Sequence, residues 1–486
     1  MVYRKVLTKI KSTKLEYTPV KWRMLTRRPD TEIKFIIIIK NVDDKNPLKK
    51  RNFSLAKDKK TENLRRKEAK TRILNIIAKK AVSFLVFVFN YIIWRSKVGI
   101  KIRGQNNAQV LHRMTRNECN ALLDCYSFGE WEIKPGLTQE MIRERRELDK
   151  SILESLGFPG VLHRGDRLCG QGNLLPFSKL PALCDELSKT PCCNEEKGLC
   201  GNSTEDCTCS HCKDFSKYFT AEFANWKPTR KECPLTNFHR EEACSILKEY
   251  ASEVAFVGDS FIRHLFVAFS LLVTGDPITG ALRSSLSDEE RKQCSGEWQF
   301  VDNGKHSCHL KTLRNWEEVR ENGPCSGRTQ FKTYLVEAYN IHQLPLAIKT
   351  VTNLLGKPGS VVVLGVGIHL SSNAQKVIKD YLKPLLDLIQ DQSSNGWPLL
   401  IWGNIHQVDN FLPSDCKKNY SPIEKFNQEM SRFCRAHNIP ILETSSVTRF
   451  IKSNDGLHFG FGGNMAKVQI LMNYLKNFFE VCAGSS

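Results

Sequence analysis

Apolar residues recur through the second half of this chain in two distinct patterns. Residues 254–257 (VAFV), 360–364 (SVVVL) and 399–402 (LLIW) are short, nearly unbroken apolar runs. They are too short for helices and rich in β-branched or aromatic residues, so they predict strands buried on both faces. Residues 261–273 (FIRHLFVAFSLLV) are apolar almost throughout and predict a buried helix. Residues 377–390, with Pro384 as a kink, and residues 424–437 predict crossover helices. Strands alternating with helices predict an α/β fold with a parallel sheet. No internal repeat is present.

The first half reads differently. Residues 1–80 hold 25 Lys+Arg against 8 Asp+Glu, which leaves 47 against 44 for the rest, so the net charge of +20 belongs to a tail. That tail lacks helical or strand periodicity and is expected to be disordered. No nucleic-acid-binding motif accompanies the charge, and no nucleic-acid partner is expected. Residues 81–94 (AVSFLVFVFNYIIW) carry no charge. This is short of the roughly 20 residues of a span, but residues 73–77 (ILNII) extend it and Lys79 and Lys80 can snorkel. A basic tail before such a segment predicts a signal-anchor at 81–97 with the amino end cytoplasmic. It lies too far in for a cleaved signal peptide, and a buried core helix is the competing reading. Residues 35–39 (FIIII) are too short to span.

All 18 cysteines follow this segment, beginning at Cys119. An even count on one side of an anchor points to disulfides in an oxidising lumen, Golgi or secretory pathway. Six crowd into residues 192–212, and Cys207, Cys209, His211 and Cys212 leave a zinc site as the alternative. Asn202-Ser203-Thr204 and Asn419-Tyr420-Ser421 match the N-glycosylation pattern, with Pro422 following the second. The chain therefore divides into a tail (1–80), anchor (81–97), stem (98–160), cysteine-rich segment (161–245) and α/β domain (246–482).

The chemistry gathers where strands end. Gly258-Asp259-Ser260 closes the first strand and opens the buried helix, so Ser260 is expected on a strand-to-helix turn beside unpaired helical N–H groups. A hydroxyl nucleophile needs a base and an orienter, and Asp455-Gly456-Leu457-His458 offers both one turn apart. Gly365-Val366-Gly367-Ile368-His369 and Gly403-Asn404-Ile405-His406 follow the other two strands, at the sheet edge where open α/β folds place their sites. Each motif alone is also an ordinary turn. Arg263 and His264, one turn beyond Ser260, suit either contact with an anionic substrate or a packing role.

These residues resemble a family. Phe256-Val257-Gly258-Asp259-Ser260-x-x-Arg263, Trp226-Lys227-Pro228, Cys233-Pro234-Leu235 and Ser453-Asn454-Asp455-Gly456-Leu457-His458 are similar to the PC-esterase branch of the SGNH (GDSL-like) hydrolases over roughly residues 190–480. That branch includes trichome-birefringence-like and sialate O-acetyltransferases. The resemblance implies a three-layer α/β/α domain with a Ser260, His458, Asp455 triad and no metal. It also implies an O-acyltransferase or esterase acting on a glycan or glycoprotein, with no bound cofactor and an acyl donor such as acetyl-CoA or another carrier. The usual Gly-x-Asn-Asp block is absent, with Gly367-Ile368-His369 in its place. That leaves Gly367, His369, Asn373 and Asn404, or the backbone of Gly275 or Gly280, as oxyanion candidates. A non-catalytic glycan-binding or adhesion protein of the same fold is the alternative.

Overall fold

The computed structural model describes residues 116–177, 179–202, 207–318, 325, 332–410, 412 and 422–482. The tail, the expected anchor at 81–97 and Asn419 lie outside them, and no described helix is long and apolar enough to cross a membrane.

Five strands form a parallel sheet: β3 (Glu253–Gly258), β4 (Lys332–Glu337), β5 (Ser360–Gly365), β6 (Leu399–Gly403) and β7 (Ile441–Leu442), in the order β7-β6-β5-β3-β4. The apolar runs follow from burial on both faces. Val254 and Phe256 enter one core with Val361, Val363, Leu399 and Ile401, whereas Ala255 and Val257 enter a second core with Val362, Leu364, Leu400 and Trp402. The first core is covered by α3 (Arg240–Tyr250), α4 (Ser260–Thr274) and α8 (Phe461–Asn477), and the second by α5 (Leu344–Leu354), α6 (Lys383–Gln392) and α7 (Ile423–Ala436). The result is a three-layer α/β/α arrangement. Every residue of α4 from Ser260 to Val273 is buried, which explains its lack of a polar face.

The chain leaves β3 for β4 on one side, then returns to place β5 on the other. The crevice beyond the carboxyl ends of β3 and β5 is thus the switch point where open sheets bind ligands. Two glycines permit the close approach there. A Cβ on Gly258 would stand 2.1 Å from the Gly365 carbonyl oxygen, and one on Gly460 1.6 Å from Glu297 Oε1. The Glu297 carboxylate accepts the Phe461 N–H at the start of α8, immediately after His458-Phe459-Gly460.

Pro384 does not break its helix. A wide turn at Ile378–Leu382 precedes it, between Ala374–Val377 and α6, and gives room for a residue that lacks an N–H.

Upstream, α1 (Arg116–Ser127) is bridged to the chain's far end by Cys119–Cys482 and to Cys233 by Cys125, and Cys119 and Leu123 belong to the first core. A helix in the range expected to be stem is therefore part of the domain. So is α2 (Gln139–Ser155), whose Arg145 pairs with Glu222 and Glu297. Two antiparallel strands, β1 (Gly129–Ile133) and β2 (Ala224–Pro228), join this region. The cysteine-rich segment is stapled by Cys169–Cys193, Cys184–Cys200, Cys192–Cys207 and Cys209–Cys212. The zinc alternative is set aside: Cys207 and the Cys209/Cys212 pair are spent in two separate disulfides. Cys244–Cys325 and Cys294–Cys308 complete the set, and among the described cysteines Cys434 alone is free.

Candidate active site

Asp259 caps α4, its carboxylate accepting the Phe261 N–H at 3.1 Å. It also accepts the N–H of Ile368, tying the turn after β5 to the turn after β3, and burial pushes its carboxyl up to about 6. Ser260 is therefore the first residue of α4, held between two fixed turns.

The loop bearing the acid and base is equally constrained. Asp409 Oδ2 accepts both the N–H and the hydroxyl of Ser453, at 2.7 and 2.6 Å, and the Ser453 hydroxyl oxygen accepts the Gly456 N–H at 2.8 Å. Gly456 has φ 95°, a left-handed conformation that costs glycine little. Asp455 Oδ1 accepts the N–H groups of Leu457 and His458 at 2.9 and 2.7 Å, leaving Oδ2 for the His458 ring.

Three side chains then meet in a line. Asp455 Oδ2 is 2.7 Å from His458 Nδ1, and His458 Nε2 is 2.7 Å from Ser260 Oγ. A carboxylate can only accept, so Nδ1 donates to it and Nε2 is left to accept the serine proton. Burial alone would push the imidazole down, but Asp455 and Asp302 outweigh it and hold His458 above its ordinary 6.5. For Asp455 burial acts upward, yet the His458 charge and the hydrogen bonds keep it below 3.8.

Asp302 carries no sequence signal. It follows the short helical turn Gly296–Phe300, is 6% exposed, and accepts from His264 Nε2 at 3.1 Å and from Arg263 Nη2. Its Oδ2 stands 3.5 Å from His458 Nε2. Arg263 also donates to Glu337 at 3.0 Å and to the Tyr339 hydroxyl at 2.7 Å, and Arg314 pairs with Glu337 at 2.7 Å. Burial moves His264 down to about 4, so it is neutral near pH 7. Behind the triad, His406 stacks on Phe261 at 4.1 Å and contacts Lys467 Nζ at 2.8 Å.

Several sequence expectations change. Arg263 is 3% exposed with its charge met by two carboxylates, so packing within an ion-pair cluster replaces contact with an anionic substrate. Asn404 is no oxyanion donor: it is buried, accepting from Trp402 and donating to Ser431 and Glu443. Asn373 caps a helix through the Lys376 N–H and is exposed. Gly275 and Gly280 lie beyond the far end of α4, with their N–H groups bonded to Leu271 and Asp276. Gly367 and His369 remain in the turn beyond β5, the latter ring edge-on to Tyr339 at 5.3 Å. The Phe261 N–H, taken by Asp259, is not available to an oxyanion. Asn202 is exposed, as a glycosylation site requires. A cavity of about 290 Å³ is lined by α2, the cysteine-rich segment, Ser453 and Asn454; Ser260, Asp455 and His458 are not among its walls.

No family model matches this chain and no curated protein matches it. Among solved structures it has a distant likeness to a member of the lipolytic protein G-D-S-L family from Veillonella parvula DSM 2008, 13% identical over 45% of this chain and 94% of that one, with a TM-score of 0.26.

Proposed function

We propose that this chain is a serine-dependent acyl hydrolase or acyltransferase, of the kind its sequence resembles, acting on glycan hydroxyls in the secretory pathway. The single observation that carries this reading is the Ser260, His458, Asp455 relay, with both hydrogen bonds at 2.7 Å. In the first half-reaction Ser260 Oγ bonds to the acyl carbon while its proton passes to His458 Nε2. The carbonyl electron pair moves onto oxygen, where the Ser260 N–H, at a helix start with no partner four residues back, is one donor; Gly367 N–H is our second. As the intermediate collapses, the donor's leaving oxygen or sulfur takes the Nε2 proton. A sugar hydroxyl or water then attacks the acyl-enzyme, giving its proton to Nε2, and Ser260 departs with that proton. The eight disulfides among the described residues fit an oxidising compartment. A glycoprotein acceptor, an acyl carrier such as acetyl-CoA and a membrane anchor at 81–97 complete the reading. A fluorophosphonate probe should form an adduct on Ser260, located by peptide mass, and none in Ser260→Ala. The occupied Phe261 and Ile368 N–H groups favour the second reading, a glycan-binding protein on the same fold, and an unlabelled Ser260 would select it.

A further inference from the structure

We propose that Asp302 holds the proton on His458 during the reaction, as a second carboxylate placed on the serine side of the imidazole. This rests on the acyl-enzyme reading above. Asp455 occupies Nδ1, whereas Asp302 Oδ2 lies 3.5 Å from Nε2, the nitrogen that is also 2.7 Å from Ser260 Oγ. When Nε2 receives the serine proton, the new N–H faces both Ser260 Oγ and the Asp302 carboxylate. No bond to Asp302 forms or breaks. It acts through His458, lowering the energy of the ion pair made as Oγ–C bonding proceeds.

Charge compensation accounts for a second carboxylate beside Arg263 and Arg314, which share Glu337, but not for the side on which Asp302 sits. Glu337 faces Arg263 from the end of β4 and is itself paired with Arg314, so the guanidinium has a carboxylate partner away from the triad. Asp302 takes the other side, where its Oδ1 accepts from His264 and its Oδ2, which accepts from Arg263 Nη2, also lies 3.5 Å from His458 Nε2. His264 thereby fixes one carboxylate oxygen and Arg263 the other, and the oxygen bonded to Arg263 is the one that faces the base. The other ionisable groups near His458 are few. Asp259 and the His264 ring, 5.0 Å from that of His458, come from the start of α4, His369 from the turn after β5, and His406 with Lys467 from behind Phe261. Of these Asp259 is the one other acid, and it is turned to the N–H groups of Phe261 and Ile368.

The test is a titration of His458 by NMR in full-length protein labelled with ¹⁵N-histidine, its signal assigned by its absence in His458→Gln. In Asp302→Asn the His458 midpoint should fall by about one pH unit or more, the size expected for loss of an adjacent opposite charge. Glu337→Gln, which removes the other partner of Arg263, should move it much less. An unchanged midpoint in folded Asp302→Asn overturns the proposal, as does an equal fall in Glu337→Gln, because the effect would then follow Arg263 and not Asp302. Asp302→Ser replaces the Asn variant if that does not fold, with the same expectation. The titration needs no substrate, so it decides the role of Asp302 even if Ser260 takes up no acyl group, an outcome that would defeat the acyl-enzyme reading alone.

Discussion

At the scale of single residues, Asp455 has two tasks that substitution can separate. Its Oδ1 shapes the loop through two backbone N–H groups, and its Oδ2 holds the His458 tautomer. Asp455→Asn keeps the shape and loses the charge, so turnover of an acyl ester should fall on the order of 10³- to 10⁴-fold with the fold intact. Equal turnover in the folded variant would contradict the relay. The pH dependence has a definite sign: the base must be neutral to accept the serine proton, and its pKa stands above 6.5. kcat/KM should therefore drop as pH falls through a value above 6.5, and a profile flat down to pH 6 would speak against His458 as the base. The meeting of Ser260, Asp455 and His458 was legible because each sits in a compact motif whose types suit a nucleophile, an orienter and a base. Asp302 was not, since it lies in irregular chain between a helical turn and a loop, and tertiary folding alone brings it to His458. Asn404 misled for the opposite reason. A polar residue after a strand usually looks out from the sheet edge, but here Trp402, Ser431 and Glu443 satisfy it internally.

At the scale of elements, the position of the nucleophile depends on how closely β3 and β5 approach at their ends. Gly258→Ala would put a methyl group 2.1 Å from the Gly365 carbonyl and against Ile262 on α4. Backbone must move, so stability should fall by about 2 kcal/mol or more, with turnover falling too as Ser260 shifts. Chemical denaturation of the purified variant checks this, and wild-type stability would show that the strands can part freely. The three apolar runs were readable as strands because burial on two faces leaves no polar alternation to confuse the pattern. Two other strands were not: β7 has only two residues, and β4 (KTYLVE) alternates at an edge. The kink assigned to Pro384 became a widened turn because the turn before it supplied the missing room.

For the whole molecule, disulfides tie distant parts of the chain into one unit. Cys119–Cys482 spans 363 residues and anchors α1 beside α8. The sequence announced that bridges were present, but pairing depends on which thiols the fold brings together, and spacing carries no record of that. Replacing both Cys119 and Cys482 by serine should lower stability by about 2–5 kcal/mol, read as a reduced Tm; an unchanged Tm would mean that this bridge does not constrain the unfolded chain. We infer that these tied layers present Ser260 as a nucleophile. The most direct test is to mix the protein with p-nitrophenyl acetate, quench in acid within the first turnovers and map the acetyl group by peptide mass. Acetylation of Ser260 in the wild type, with neither adduct nor turnover in folded Ser260→Ala, is the predicted result, whereas undiminished turnover in that variant would contradict the account.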